Sequence, residues 1–451
     1  MARLGANVLP GGASFAIALA TLLLSCGQTG EPAPLSKSED DGAAIRFNPP
    51  PEKGPKLGAI ANATPVLERP SASARSIGAL HAGAFVTRSD APVRKTASCE
   101  GGYYAVYPRG VVCLNQGASL DAAHPTLQAM AIRPSLDKAL PYTYGRTRVE
   151  TGLLERDPER SDGVRELRKL ARGSTMAIVG SWSARIGDSE PERLGLLTDG
   201  HFVRAADLEM LKSTSFAGVD LTGEQELPVA FVVKRGVSQF KSDGDDVYVK
   251  SEPLEYHQVL RLTGRFRTQK GTKLWAAEND RFVRDQDVTV IQRRTKFPDF
   301  VQDGQRWLDV GVILGTLVAY EGKKAVFATL VSTGRDRLGD SAVPEQTPAV
   351  TKLGTFEVLV KHITLLSAPA ERAGERFGVF DVPWVHELSS GQLLLGAYWH
   401  DRFGIEHGPG DIGLSPTDAQ RIFAWSTPAL PKSWHAATSV DGDKTIVHVR
   451  K

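Results

Sequence analysis

Gly396-Ala397-Tyr398-Trp399-His400-Asp401-Arg402-Phe403-Gly404, followed ten residues on by Leu414-Ser415-Pro416-Thr417-Asp418-Ala419, is the stretch that decides how this chain is read. Three aromatics, a histidine and an arginine crowd between two glycines. Ser415 can accept a hydrogen bond from an orphan amide of a helix start, and Pro416 suits a first helical position, where no N–H is needed. Together they predict a short helix. Upstream, Trp307–Val310, Thr316–Gly322 and Ala325–Gly334 alternate apolar and polar residues between tight turns, which is strand patterning. Further aromatic segments flank the stretch at Val379–Trp384, Phe423–Trp425 and Trp434-His435.

Working outward, the chain has 451 residues, enough for about three domains. Hydrophobic residues are 41% and charged residues 24%, a globular composition that excludes wholesale disorder. Lys+Arg number 54 against Asp+Glu 52, so no concentrated basic surface is expected and no nucleic-acid partner. With 44 glycines and 27 prolines, turn-rich β structure is favoured over a helical bundle.

The N-terminus indicates a compartment. Arg3 precedes an apolar core, Ser14–Leu24, which is too short to span a bilayer and fits a secretory signal. Leu23-Leu24-Ser25-Cys26 resembles a bacterial lipobox, which implies a signal peptide over 1–25 and lipidation of Cys26. Gly27 rather than Asp after that cysteine favours the outer membrane, facing the periplasm. Residues 26–60 are rich in Pro, Gly, Ser and charge, and are expected to be a flexible tether. The remaining cysteines, Cys99 and Cys113, are expected to form a disulfide in an oxidising compartment. Such a loop of about 15 residues gains about 3 kcal/mol. No Cys/His set has zinc spacing, so no metal is expected. The short runs Ala84–Thr87, Tyr103–Tyr107 and Gly110–Leu114 suggest a small β module over 61–120, which resembles bacterial Src-homology-3-like domains.

The middle carries a repeat. His201-Phe-Val-Arg-Ala-Ala-Asp-Leu208 recurs eighty residues later as Arg281-Phe-Val-Arg-Asp-Gln-Asp-Val288, each after a tryptophan-bearing strand (Trp182, Trp275) and a turn. Two further barrel-like modules are expected, over 174–215 and 216–299. Residues 121–173 are expected to connect, with Glu155–Arg172 the best helix candidate. Asp243–Asp246 and Asp441-Gly442 are expected to be hairpin turns.

The motifs of residues 300–438, in their order, resemble the catalytic domain of L,D-transpeptidases, enzymes that cross-link peptidoglycan stem peptides. The resemblance implies a β-sandwich-like domain over 300–451 and covalent acyl transfer by a cysteine. That chemistry needs a thiolate, a histidine base and oxyanion donors. This chain departs from the motif. Aligned through Trp399–Gly404 and Leu414–Pro416, the nucleophile position holds Asp411 and the base position Leu395. Gly408, Pro409 and Gly413 replace the motif's Ser, second His and Asn, and only Gly410 is kept. A shifted alignment places His407-Gly408 on the motif's His-Gly but puts Pro409 at the cysteine. The family's Thr-Pro is altered to Thr351-Lys352-Leu353. No cysteine exists beyond Cys113.

The fold expected is therefore mainly β: several small β-barrel modules followed by an L,D-transpeptidase-like β-sandwich domain. The function expected is that of a cell-envelope lipoprotein that binds or organises peptidoglycan without catalysis. Tyr398, Trp399, His400, Arg402 and His407 would line a groove for stem peptides, with no cofactor. One alternative is an active cross-linking or hydrolysing enzyme with a remodelled site. The other is a structural protein that binds envelope proteins.

Overall fold

The computed structural model describes residues 46–114, 117–221, 226–244, 247–334, 350–367, 377–407, 410–440, 442 and 444–451. The expected signal segment, Cys26 and most of the expected tether lie outside the described residues. The molecule is mainly β, built of several sheets with only two α-helices among the described residues, Pro125–Ala129 and Pro416–Trp425. None of its described helices is long and apolar enough to cross a membrane.

The first module begins earlier than the sequence suggested. Lys56–Ala59, within the expected tether, is a strand paired with Phe85–Thr87 and Ala118–Ser119. Its Leu57 and Ala59 are wholly buried, and that burial explains why the chain orders here. Thr64–Leu67, Ser76–Leu80, Arg94–Thr96, Cys99–Ala105 and Val111–Cys113 complete the module. The Cys99–Cys113 disulfide is present, with the Cα atoms 6.0 Å apart.

The repeat is larger than its motif. Seven strands between Thr143 and Met210 and seven between Val229 and Ile291 are connected in the same sheet order. In each copy the motif forms a strand, a 3-10 turn (Ala205–Asp207, Asp285–Asp287) and the closing strand. The tryptophans are not equivalent. Trp182 lies on the long strand Thr175–Ile186, whereas Trp275 lies on Thr272–Ala277, which pairs with the corresponding long strand Val259–Gln269.

Two further expectations are corrected. Glu155–Arg172 is no helix but most of a hairpin, Thr151–Arg156 against Gly163–Leu170, and this moves the start of the second module from 174 back to 143. Pro158 lacks the amide that a helix interior needs, and Arg165 pairs across the hairpin with Glu155 at 2.8 Å. Val219–Asp220 joins the C-terminal domain by pairing with Lys324–Leu330, not the third module. Asp441, of the expected Asp441-Gly442 turn, lies outside the described residues. Ala436–Thr438 and Ile446–Arg450 do not pair with each other; both run antiparallel along the same long strand, Gly354–Ser367. By contrast Asp243 does open a hairpin, with Ser242 opposite Tyr248.

Gly354–Ser367 organises the C-terminal domain. Phe380–Leu388 pairs with it, then Leu393–Gly396, then Ile412–Leu414. Its first residues join Ile446–Arg450, which runs parallel to Arg306–Gly311. Between these layers lie Leu308, Val310, Leu317, Phe327, Val358, Trp384, Ile412 and Phe423. The helix Pro416–Trp425 starts as expected, with Ser415 Oγ accepting from the Asp418 amide at 3.1 Å.

The first module and the C-terminal domain share a sheet. Gly78 and Ala79 pair with Ala437 and Ala436, and the His435 amide donates to the Ala79 carbonyl at 2.8 Å. Trp434 enters the first module's core beside Leu57, Val66 and Tyr104. Gly78 makes room for it, since a Cβ there would sit 2.4 Å from the indole.

Candidate functional site

Ile412–Leu414 and Leu393–Gly396 are parallel neighbours, with Leu395 opposite Gly413. This pairing sets Leu395, the position that the motif assigns to the base, beside the strand that Asp411, the nucleophile position, immediately precedes. Leu395 is buried in the apolar core with Tyr398 and Phe403. It has no titratable group, so no base exists there.

Asp411 immediately precedes the strand Ile412–Leu414. One carboxylate oxygen, Oδ1, accepts from the Leu393 amide at 2.9 Å, while the other, Oδ2, is buried with no hydrogen-bond partner. Burial raises its carboxyl to about 6, against the opposing effect of that amide. The neighbouring Gly410 carbonyl is held from two sides. It accepts from the Thr351 hydroxyl at 3.0 Å and from the Gln392 side-chain amide. Thr351 in turn accepts from the Gly334 amide at 2.8 Å, and Gln392 Oε1 accepts from the Lys352 amide at 2.9 Å. The loop end is therefore fixed by polar contacts rather than open. Gly408 and Pro409 lie outside the described residues.

Among the five residues expected to line a groove, His400 and His407 meet, with ring centroids 4.4 Å apart. His400 Nδ1 accepts from the Arg402 amide at 3.1 Å, which puts the proton on Nε2. Nε2 then donates toward Ser332 Oγ at 3.5 Å, at the limit of a hydrogen bond. A histidine in that tautomer cannot take the serine's proton, so the pair is not a nucleophile and its base. Burial, His407 and Arg402 together lower His400 to about 3, and burial and Arg402 lower His407. Both rings are neutral at physiological pH.

Trp399 packs edge-on against Tyr398 and His400. Tyr398 is not a groove residue. It is buried, its hydroxyl donates to the Phe380 carbonyl at 2.6 Å, and it meets the Thr175 hydroxyl of the second module at 2.9 Å. His435, near the motif in sequence, is tied to Thr364 and packs at a tilt against His81 of the first module, ring centroids 4.6 Å apart.

Several polar residues at or near the site have a role that the sequence does not show. Thr351, Gln392 and Ser332 brace the loop. Lys361 is buried, donates to the Phe423 and Ser426 carbonyls at 2.5 and 2.8 Å, and is lowered by burial to about 7. Asp381 is buried where the second module meets the C-terminal domain. Each is polar inside an apolar layer, and only the tertiary structure gives it partners. Among the described residues no group of three acidic, His or Cys side chains is arranged to hold a metal.

No protein-family model matches this chain, and no curated protein does. Its likeness is to solved L,D-transpeptidases. One from Xylanimonas cellulosilytica is 14% identical over 34% of this chain and 65% of its own, with a TM-score of 0.24. One from Stackebrandtia nassauensis is 21% identical over 35% of this chain and 62% of its own, with a TM-score of 0.23. One from Mycobacterium smegmatis is 13% identical over 43% of this chain and 82% of its own, with a TM-score of 0.25. The chain spans just under two thirds of the length of the first two.

Proposed function

We propose that this protein is a lipid-anchored component of the bacterial envelope whose C-terminal domain binds peptidoglycan stem peptides without cross-linking them. The order of motifs from Trp307 to Trp434 supports the peptidoglycan link. The lipobox-like Leu23–Cys26 supports the anchor and a periplasm-facing position at the outer membrane. The observation that carries the loss of catalysis is the pair Asp411 and Leu395. A transferase of this type needs a thiolate and a base, and the two positions hold a carboxylate tethered to the Leu393 amide and a core leucine. Incubation with a tetrapeptide donor and an amine acceptor, read by mass spectrometry, is expected to give neither D-Ala nor cross-linked product. Either product would contradict the proposal.

A second reading has one observation of its own. Asp411 Oδ2 is buried without a partner, and a poised carboxylate is a feature of some active sites. Attack by that oxygen on a peptide carbonyl would form an anhydride and expel an amine, with no base or acid at Leu395 to protonate it. If D-Ala release were found and lost in Asp411→Asn, this reading would replace the first.

A further inference from the structure

A cavity of about 330 Å³ lies where three parts of the chain meet. His81, Ala84 and Phe85 come from the first module, Ile132, Arg133, Leu136 and Tyr142 from the connector, and Ile363, Trp434 and His435 from the C-terminal domain. The connector is pinned over it at two points: the Trp384 indole donates to the Ala139 carbonyl at 2.6 Å, and the Gln420 amide to the Leu136 carbonyl at 2.7 Å. The cavity is thus a built feature of the assembled fold, in the interdomain position that ligand sites favour.

Its chemistry is apolar with one cation. Trp434 and Ile363 are buried in its floor, and Ile132 and Leu136, each about half exposed at 54% and 50%, extend the apolar lining to the rim. Arg133 lies over the Phe85 ring at 5.6 Å and, among the described residues, has no ion pair or hydrogen bond. Neither histidine supplies further charge. His81 Nδ1 faces the Ala82 carbonyl, His435 Nε2 is engaged by Thr364, and burial holds both rings neutral. The nearest acid that acts on His81 is Asp199, whose carboxylate lies 2.8 Å from His201. The lining therefore presents an unpaired guanidinium beside aromatic and aliphatic walls, and a guanidinium is the group that grips a carboxylate with two parallel donors.

We propose that this cavity binds a small organic carboxylate with an aromatic or short aliphatic body, its carboxylate on Arg133 and its body against Phe85, Trp434 and Ile363. The site is separate from Asp411 and does not depend on the peptidoglycan reading.

The test is calorimetric titration of the full chain with three probes of one shape: 4-phenylbutyrate, 4-phenylbutanol and 4-phenylbutylamine. Saturable binding of the acid is expected, with the amine giving none. Arg133→Gln, a substitution at an exposed position, should weaken the acid about tenfold and leave the alcohol unchanged, since only a charged hydrogen bond is lost. Ile132→Asp should weaken both the acid and the alcohol, and an unchanged thermal midpoint would show that each variant is folded. No saturable binding of the acid at millimolar concentrations would overturn the proposal. So would equal binding of all three probes, or acid binding indifferent to Arg133→Gln.

Discussion

Asp381 joins the second module to the C-terminal domain through a buried carboxyl. One oxygen, Oδ1, accepts from the Thr198 hydroxyl and the other, Oδ2, from the Ala177 amide at 3.2 Å, while the Tyr144 hydroxyl donates to its backbone carbonyl at 2.5 Å. Among the described residues no cation pairs with it, and burial lifts it from 3.8 to about 7 despite both hydrogen bonds. Because the folded state holds the proton more tightly than the unfolded chain, this group's stabilisation is full at pH 3.8 and below. It is lost as pH rises from 3.8 to 7. A shift of about three units corresponds to about 4 kcal/mol across that window. Asp381→Asn keeps an acceptor for Ala177 and gains a donor for Thr198, without a charge to desolvate. Its backbone φ of 53° also suits Asn. In urea titrations followed by tryptophan fluorescence, the difference between variant and native midpoints should therefore be small at pH 4 and grow toward pH 7.5 in the variant's favour. Taking that difference removes the contributions of Asp411 and Asp418, whose carboxyls burial raises in the same direction. An Asn variant no more stable than the native protein at pH 7.5 would refute the reasoning.

Other consequences follow from the same structure. Lys361 is lowered from 10.5 to about 7, so its folded state gives up a proton that the unfolded chain keeps; stability from this group should rise as pH climbs from 7 to 10.5. Lys361→Met should flatten that rise in the same urea assay, whatever its effect on absolute stability. Trp434→Ala empties the first module's core and should cost about 3–5 kcal/mol, with the loss confined to the cooperative unit that contains the shared sheet. Replacing Cys99 and Cys113 together by Ser should cost about 3 kcal/mol, read as a lowered thermal midpoint. Asp411→Cys should restore a thiol without restoring D-Ala release, because Leu395 still offers no base.

Legibility in the sequence tracked how local each signal is. Ser415 and Pro416 announced their helix because capping uses residues three apart. The repeated Phe-Val-Arg segment announced two modules because strand, 3-10 turn and strand lie within eight residues, though it could not show that Trp182 and Trp275 stand on different strands. Glu155–Arg172 misled because its charges suit a solvated helix, while Pro158 and the cross-strand Arg165–Glu155 pair favour a hairpin. Nothing local tells Ala436 that it will pair with Ala79, or Trp434 that Gly78 leaves it space. At the candidate site Leu395 stands on a strand and Asp411 immediately precedes the strand that pairs with it. The bracing role of Thr351 and Gln392 was not legible, because they reach the Gly410 carbonyl only when the chain folds. Tyr398 stands beside Trp399 in sequence, yet its hydroxyl faces inward to Phe380 and Thr175.

The central claim is a peptidoglycan-binding domain that has lost its chemistry, and co-sedimentation with purified sacculi tests it most directly. The chain from residue 27 onward should bind saturably, and an excess of free stem tetrapeptide should displace it. No binding by the chain, or binding that the tetrapeptide leaves undisturbed, would contradict the account.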